Sequence, residues 1–448
     1  MAIVLLLSRL SILLSLPFAS STLPSTCDPR ETDPCLPGGK YDPILKSCNG
    51  YQGQECFGCY SGTLCSGFNE TCSINLGGGQ PVWADEYWEG AGVCTEIGSY
   101  YQTPYTFTTA YQPLLDEIIK LHGNVGNAKT DGYEIVLGVG ATGVMNSVLY
   151  AVAKRGGRTI TAQAPHYGNY VQQTQNTYSP SPYPSFLTFE SDANISDNNN
   201  TYEILTYPNN PDGSKRNPIS KNVKNVIYDC IYYWPHFTEI DVQLEHDIMI
   251  FSASKHTGHA ASRLGWALVK DPEIAELMRD FSEREIGVSI DSQIRYTYTL
   301  NFLNDQFDNP PTDQPTFYHF SADLMASRFD AVTKLFTNEV TGEVETINDI
   351  TFVNSETRGA YVWLSHSDED VDLEALLEGE ALITGTPGTS YGVGTNFARI
   401  QMMARSVEIE DFVGRLEAFL ALPYDPLLSA KYAAAKLKNR EVKKVLGC

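Results

Sequence analysis

The chain is poor in positive charge: 31 lysines and arginines stand against 54 aspartates and glutamates over 448 residues, a formal net charge of −23. That excess disfavours nucleic acid and anionic membrane as partners and favours solubility. Long apolar runs are missing after Phe18, so no later segment is suited to span a bilayer as a helix. No internal repeat is visible, which sets aside solenoids and propellers. Cysteine is scarce beyond position 94, where only Cys230 and Cys448 occur, both expected as free thiols. What is present is the composition of a soluble globular protein, 42% hydrophobic and 19% charged. The length allows two or three domains and a large buried core.

The remaining eight cysteines (Cys27, Cys35, Cys48, Cys56, Cys59, Cys65, Cys72 and Cys94) crowd into one N-terminal stretch. Ahead of them, Met1 to Phe18 is mostly apolar, with Arg9 its one charge, and Ala19-Ser20-Ser21 follows. This predicts a cleaved secretory signal over residues 1–21; the run is too short and broken for a membrane anchor. The mature chain is therefore expected without a membrane span in the secretory pathway, extracellular or vacuolar. In an oxidising compartment an even cysteine cluster among Gly, Pro and Asn reads as a disulfide-stapled module, here residues 22–80. A zinc site at Cys56-Phe57-Gly58-Cys59 is the weaker reading, because the stretch holds no histidine. Glycosylation sequons occur at Asn69, Asn194 and Asn199. The module is expected to be separable from catalysis, and Gly77-Gly78-Gly79 is read as a flexible hinge that ends it.

From Val82 the pattern changes. Leu114 to His122 has helical spacing, Tyr133 to Gly140 reads as a strand entering a glycine turn, and Val144 to Lys154 as a helix. Further strands are predicted at Arg158–Ala162, Tyr202–Tyr207, Asn225–Asp229, Ile248–Phe251 and Gly265–Val269. This alternation predicts an α/β domain with a mostly parallel sheet over residues 81–320. Phe302 to Thr316, with three prolines, reads as irregular; helix (Ser321–Leu335) and strand (Gly359–Leu364) then return in a smaller domain over 321–448, which ends in a lysine-rich helix from Ala430 to Leu446.

One stretch carries most of the chemistry. Phe251-Ser252-Ala253-Ser254-Lys255 ends an apolar strand in hydroxyls and a lysine, with Arg263 eight positions on. A lysine on a short rigid segment forms an imine with an aldehyde cofactor, and serines with an arginine suit a phosphate. Alone, a lysine after a core strand is ordinarily a solvated side chain; its neighbours reverse the odds. Gly140-Ala141-Thr142-Gly143 joins a strand to a helix, where backbone N–H groups and the Thr142 hydroxyl suit a phosphate. Asp229 ends an apolar strand, where a carboxylate needs a partner such as a protonated pyridine nitrogen. Tyr232 and Asn210 are placed to reach a phenolic oxygen, although Asn210 also suits a turn. Tyr167 suits a ring face, and Arg399, inside an apolar strand, suits a carboxylate by a planar two-point contact.

The order Asn210-Pro211-Asp212-Gly213, Asp229, Tyr232, Ser252-Ala253-Ser254-Lys255, Arg263 and Arg399 resembles the fold-type I pyridoxal phosphate enzymes of the aspartate aminotransferase superfamily. Within it, Thr206 to Gly213, Tyr228 to Thr238 and Ser254 to His259 resemble the plant alliinase and tryptophan aminotransferase-related family. The run Cys56-x2-Cys59-x5-Cys65-x6-Cys72 is similar to the EGF-like module of alliinases, and Asp85-Glu86-Tyr87-Trp88 to the start of their catalytic domain. The resemblance implies pyridoxal 5'-phosphate held by Lys255 as the imine lysine, Asp229 at the pyridine nitrogen, and Tyr232 and Asn210 at the phenolic oxygen. It further implies Tyr167 against the ring, Ala141, Thr142, Ser252, Ser254 and Arg263 at the phosphate, and Arg399 on the substrate carboxylate. A homodimer is implied, with a tyrosine near Tyr100 or Tyr101 reaching the neighbouring subunit's phosphate. Gly168-Asn169 after Tyr167, and Ala261 for a commoner glycine, depart from the family and bear on substrate fit.

Three functions compete. The first is an aminotransferase acting on an L-amino acid, with aromatic ones the leading candidates and a keto acid as acceptor; Gly287 to Arg295 resembles that branch. The second is an alliinase-like carbon–sulfur lyase, which needs the same residues. The third is a non-catalytic secreted binding glycoprotein, which the intact lysine, aspartate and arginine set argues against. No metal is expected.

Overall fold

The computed structural model describes residues 40–42, 47–49, 59–61, 67–69, 71–79, 81–91, 93, 95, 110–176, 187–191, 200–220, 223–284, 287–353 and 357–422. The expected signal peptide, the sequons at Asn194 and Asn199, Tyr100, Tyr101, the C-terminal helix and Cys27, Cys35, Cys56, Cys65 and Cys94 lie outside these residues. Among the described residues no helix is long and apolar enough to cross a membrane, and no cluster suited to a metal occurs.

The dominant element is a seven-stranded sheet in the order Glu134–Val139, Leu264–Val269, Ile248–Ser252, Val226–Asp229, Thr201–Thr206, Thr159–Ala162, Thr188–Ser191. All neighbours run parallel except Leu264–Val269, which is antiparallel to both strands beside it. The four strands from Thr201 to Val269 are buried along their whole length. Their predominantly apolar content, with Glu203 and Asp229 as the charged exceptions, is what a sheet covered on both faces requires. The edge strand Thr188–Ser191 was not visible in the sequence; it is short and half polar, so it carries neither an apolar run nor alternation.

Helix Gly140–Lys154 begins four residues before the predicted start. Gly140 adopts φ 68°, and a Cβ there would overlap the Arg263 guanidinium. Only glycine allows this turn. The region predicted irregular from Phe302 is instead helical to Asp308, within helix Ile290–Asp308, and the proline-rich break starts at Asn309. A second, antiparallel sheet (Ile350–Phe352, Tyr361–His366, Phe397–Gln401, Thr386–Pro387) forms the core of the C-terminal part. Helices Phe317–Leu335 and Ser406–Leu420 accompany it. Strand Ile74–Asn75 pairs in parallel with Ile383–Thr384, which ties this short segment to the C-terminal part.

Four histidines are packed among tryptophans, tyrosines and phenylalanines. His122 binds Asn127 and accepts from Trp266 Nε1 at 3.0 Å. His256 stacks on Trp234 at 3.9 Å between the Tyr296 and Tyr318 hydroxyls. His236 donates from Nε2 to the Lys255 carbonyl at 3.0 Å. Burial pulls His122 down to about 4, against the Asn127 bond, and His236 to about 3, against the bond to Lys255. Burial and then Arg295 pull His259 to about 4, and burial drives His256 well below its usual range. Unfolded histidines titrate near about 6.5, so below that pH the unfolded chain binds more protons than the folded one. The stability they contribute is intact above about pH 6.5 and is lost toward about pH 4, at a slope approaching about 1.4 kcal/mol per pH unit for each titrating ring. Melting temperatures should therefore fall steadily from pH 6.5 to 4.5; a flat profile over that range contradicts these buried neutral rings.

Candidate active site

The carboxyl ends of Val226–Asp229 and Ile248–Ser252, and the turn after Glu134–Val139, open on one cavity of about 390 Å³. This is where open α/β sheets bind ligands. Ten of the residues singled out in the sequence line it: Ala141, Thr142, Tyr167, Asp229, Tyr232, Ser252, Ser254, Lys255, Arg263 and Arg399. The eleventh, Asn210, reaches it through Arg399, whose Nη1 donates to Asn210 Oδ1 at 3.0 Å.

Lys255 sits on the short helix Ala253–His256, whose N-cap is Ser252, with Ser252 Oγ accepting from the Ser254 N–H at 3.1 Å. His236 fixes the Lys255 carbonyl from behind. The side chain faces the cavity but is kept from bulk water. That desolvation, with Arg399 and Arg263 nearby, holds its pKa below the ordinary lysine value, partly offset by Tyr361. Its Nζ donates to the Gly79 carbonyl.

Asp229 is buried, and burial pushes its carboxyl up to about 6, although the Tyr170 hydroxyl and the Ile231 N–H oppose the shift. Tyr170 donates to Oδ2 at 2.7 Å and lies 2.6 Å from the Thr206 hydroxyl, which is then the donor to Tyr170. Among the described residues, Oδ1 has only a long 3.4 Å contact from the Ile231 N–H.

Tyr232 and Tyr361 share a 2.7 Å hydrogen bond in the buried floor. Burial drives the Tyr232 phenol well up, and Tyr361 adds to this. For Tyr361, burial acts upward, but Arg399, Lys255 and the bond to Tyr232 outweigh it and leave the phenol below its ordinary value. Either hydroxyl can be the donor in that bond. The Arg399 guanidinium lies over the Tyr361 ring at 4.0 Å and the Tyr391 ring at 5.1 Å. Nη2 donates at 2.8 Å to both the Gly77 and Gly78 carbonyls, and among the described residues Nε has no partner.

At the other end, helix Gly140–Lys154 presents its N-terminus without a side-chain cap, beside Ser252, Ser254 and the exposed Arg263, whose Nη1 takes the Ala260 carbonyl at 3.0 Å. An uncapped N-terminus with hydroxyls and a guanidinium is an anion site.

Sequence reasoning missed Tyr170, Tyr361 and the glycine run. Tyr170 and Tyr361 carry no local motif; they are found only where strand and helix meet. Gly77 and Gly79 are not hinge residues here. A Cβ on Gly77 would overlap the Gly385 carbonyl, and one on Gly79 would come 2.9 Å from Tyr361 Oη and 3.3 Å from Lys255 Nζ. These glycines permit close backbone approach to the site.

The family model Alliinase_C, described as Allinase, matches residues 74–420. Tryptophan aminotransferase-related protein 1 of Oryza sativa subsp. japonica is 34% identical, over 77% of this chain and 82% of its own length. Alliin lyase of Allium cepa var. aggregatum is 28% identical, over 78% and 82%. Among solved structures, aspartate aminotransferase from Thermus thermophilus with maleate superposes with TM-score 0.57 at 15% identity, covering 78% of this chain and 92% of that one. Substrate-bound BacF from Bacillus subtilis does so with TM-score 0.58 at 18% identity, covering 79% and 92%.

Proposed function

Since the chain belongs to the alliinase family, of fold-type I pyridoxal phosphate enzymes, we propose that it is an aminotransferase acting on an L-amino acid, with aromatic side chains the first candidates. The carrying observation is that the Lys255 amine, the buried Asp229 carboxylate and the Arg399 guanidinium open on one cavity. The cavity fits the cofactor on its own terms. Among the described residues Asp229 has no cationic partner and Arg399 Nε has no hydrogen-bond partner, and the anion site lies at the Gly140 helix end. Ala141, Thr142, Ser252, Ser254 and Arg263 would take the phosphate, Asp229 the pyridine nitrogen, Tyr232 and Asn210 the phenolic oxygen, and Tyr167 the ring face.

When bound, pyridoxal phosphate supplies the electron sink that acidifies the substrate Cα–H. The chain supplies the rest. Arg399 holds the carboxylate in a planar fork, and two stacked tyrosines fix the orientation of that fork. Lys255, with its depressed pKa, carries a neutral amine more readily than a free lysine, so it can take the Cα proton and return it elsewhere. Ionised Asp229, steadied by Tyr170, would hold a proton on the pyridine nitrogen of the bound cofactor.

The alliinase-like lyase is the second reading, favoured by the 28% identity to an alliin lyase; it uses the same residues. Assay of the purified protein separates them. L-Amino acids giving keto acid only with an acceptor keto acid supports transamination, whereas S-alkyl cysteine sulfoxides giving pyruvate and ammonia without an acceptor supports the lyase. The proposal includes a homodimer and secretion.

Arg399→Lys keeps the charge and loses the fork. It should raise KM for amino acids about 10- to 100-fold, the worth of a hydrogen bond to a charged group, and leave cofactor absorbance alone. An unchanged KM would remove Arg399 from the carboxylate site.

A further inference from the structure

The cysteine-rich segment is tied directly to the catalytic cavity. Cys59 and Cys72 form a disulfide. Arg415, on helix Ser406–Leu420, donates from Nη1 to the Cys72 carbonyl at 2.7 Å and to the Leu382 carbonyl at 3.2 Å, and its Nη2 lies 3.7 Å from Cys59 Sγ. Asp411 steadies the same guanidinium at 2.9 Å. From Cys72 the chain is stitched to the C-terminal part almost residue by residue. The Ile74 N–H donates to Leu382 and the Leu76 N–H to Thr384, each at 2.8 Å, and the Leu76 carbonyl accepts from the Gln401 N–H at 3.0 Å. Thr386 Oγ1 then donates to the Gly77 carbonyl. The run ends with the Gly77 and Gly78 carbonyls on Arg399 and the Gly79 carbonyl on Lys255. On its far side the Trp83 N–H is held by the Met403 carbonyl at 3.0 Å.

This arrangement sets up a competition at Arg399. Both protons of Nη2 are spent on glycine carbonyls, and one proton of Nη1 on Asn210. A carboxylate bound in two points needs two parallel N–H bonds on one edge of the guanidinium, and either edge that a fork would use includes Nη2. One glycine carbonyl must therefore yield before the full contact forms. The carbonyls are fixed at that position by the backbone pairing and, at its origin, by the disulfide and Arg415.

We propose that Arg415 and the Cys59–Cys72 disulfide are positioning groups for the substrate-carboxylate site: they hold the Gly77–Gly79 run as a latch on Arg399 that an incoming carboxylate must displace. On this proposal the module, expected from the sequence to be separable from catalysis, would be coupled to it at this end. The proposal rests on Arg399 being the carboxylate site.

The test is equilibrium binding of L-phenylalanine and L-phenylalaninamide to the holoenzyme, followed by the cofactor's visible absorbance, in wild type and Arg415→Met. Removing the grip on Cys72 should tighten the amino acid by about five- to tenfold, less than the full worth of one hydrogen bond to a charged group, because the backbone pairing still holds part of the run. The amide, which makes no ionic fork, should bind as before. Reduction of the folded holoenzyme by a mild thiol should act in the same direction; if reduction unfolds the protein, Arg415→Met decides alone. Tightening of both ligands equally, or no tightening in an Arg415→Met protein that melts like wild type, overturns the latch. Wild type that binds amino acid and amide equally well would instead overturn the assignment of Arg399.

Discussion

Lys255→Ala should lose turnover by at least about 10³-fold and lose the visible absorbance of the protein as isolated. Two effects combine. The proton shuttle disappears, and a positioned acid–base group is worth about 10²–10⁴-fold. The covalent hold on the cofactor disappears as well. The setting of Lys255 indicates that the loss should be specific. The backbone at this position is fixed by the Ser252 cap and by His236, neither of which depends on the lysine side chain. The melting temperature of the cofactor-free variant should therefore stay near that of cofactor-free wild type. The measurement is a parallel spectrum, melt and single-turnover assay. A variant that kept its absorbance, or turned over within tenfold of wild type, would remove Lys255 from the chemistry.

Asp229→Asn should retain cofactor and lose about 10²–10³-fold in turnover, the usual scale for removing one preorganised electrostatic contact. The amide is nearly isosteric and can still take the Tyr170 bond. Because burial already drives the Asp229 carboxyl up to about 6, the carboxylate is held at a cost that only a cation recovers. Loss of that ion pair strikes the chemical step more than cofactor retention. Cofactor content by absorbance, set beside steady-state turnover, checks both halves. Turnover close to wild type would mean that Asp229 is a structural carboxylate paired with Tyr170.

Much of this was legible in the chain. Strands buried on both faces announce themselves by composition, so the carboxyl ends that carry Asp229 and Lys255 could be placed from apolar runs such as Val226-Ile227-Tyr228 and Ile248-Met249-Ile250-Phe251. The phosphate end was legible because a glycine turn, two serines and Arg263 lie within short spans of sequence. Tyr170 and Tyr361 were not, since their hydroxyl contacts to Asp229 and Tyr232 span 59 and 129 residues respectively, and no local spacing encodes such contacts. The Gly77–Gly79 run misled for a related reason. Glycine marks both freedom and close approach, and only the positions of the Gly385 carbonyl and Tyr361 Oη show that close approach decides here. The acid-labile histidine core was equally hidden, because a histidine shows its burial only through the aromatic rings that surround it.

The central claim is that Lys255 is the residue that carries the cofactor in a cavity whose anion end lies at Gly140–Thr142. Borohydride reduction of the protein as isolated, followed by proteolysis and mass mapping, tests it most directly. A single cofactor-bearing peptide containing Lys255 is the predicted result. The cofactor on any other lysine, or no fixed cofactor in a protein that is yellow before reduction, would contradict it.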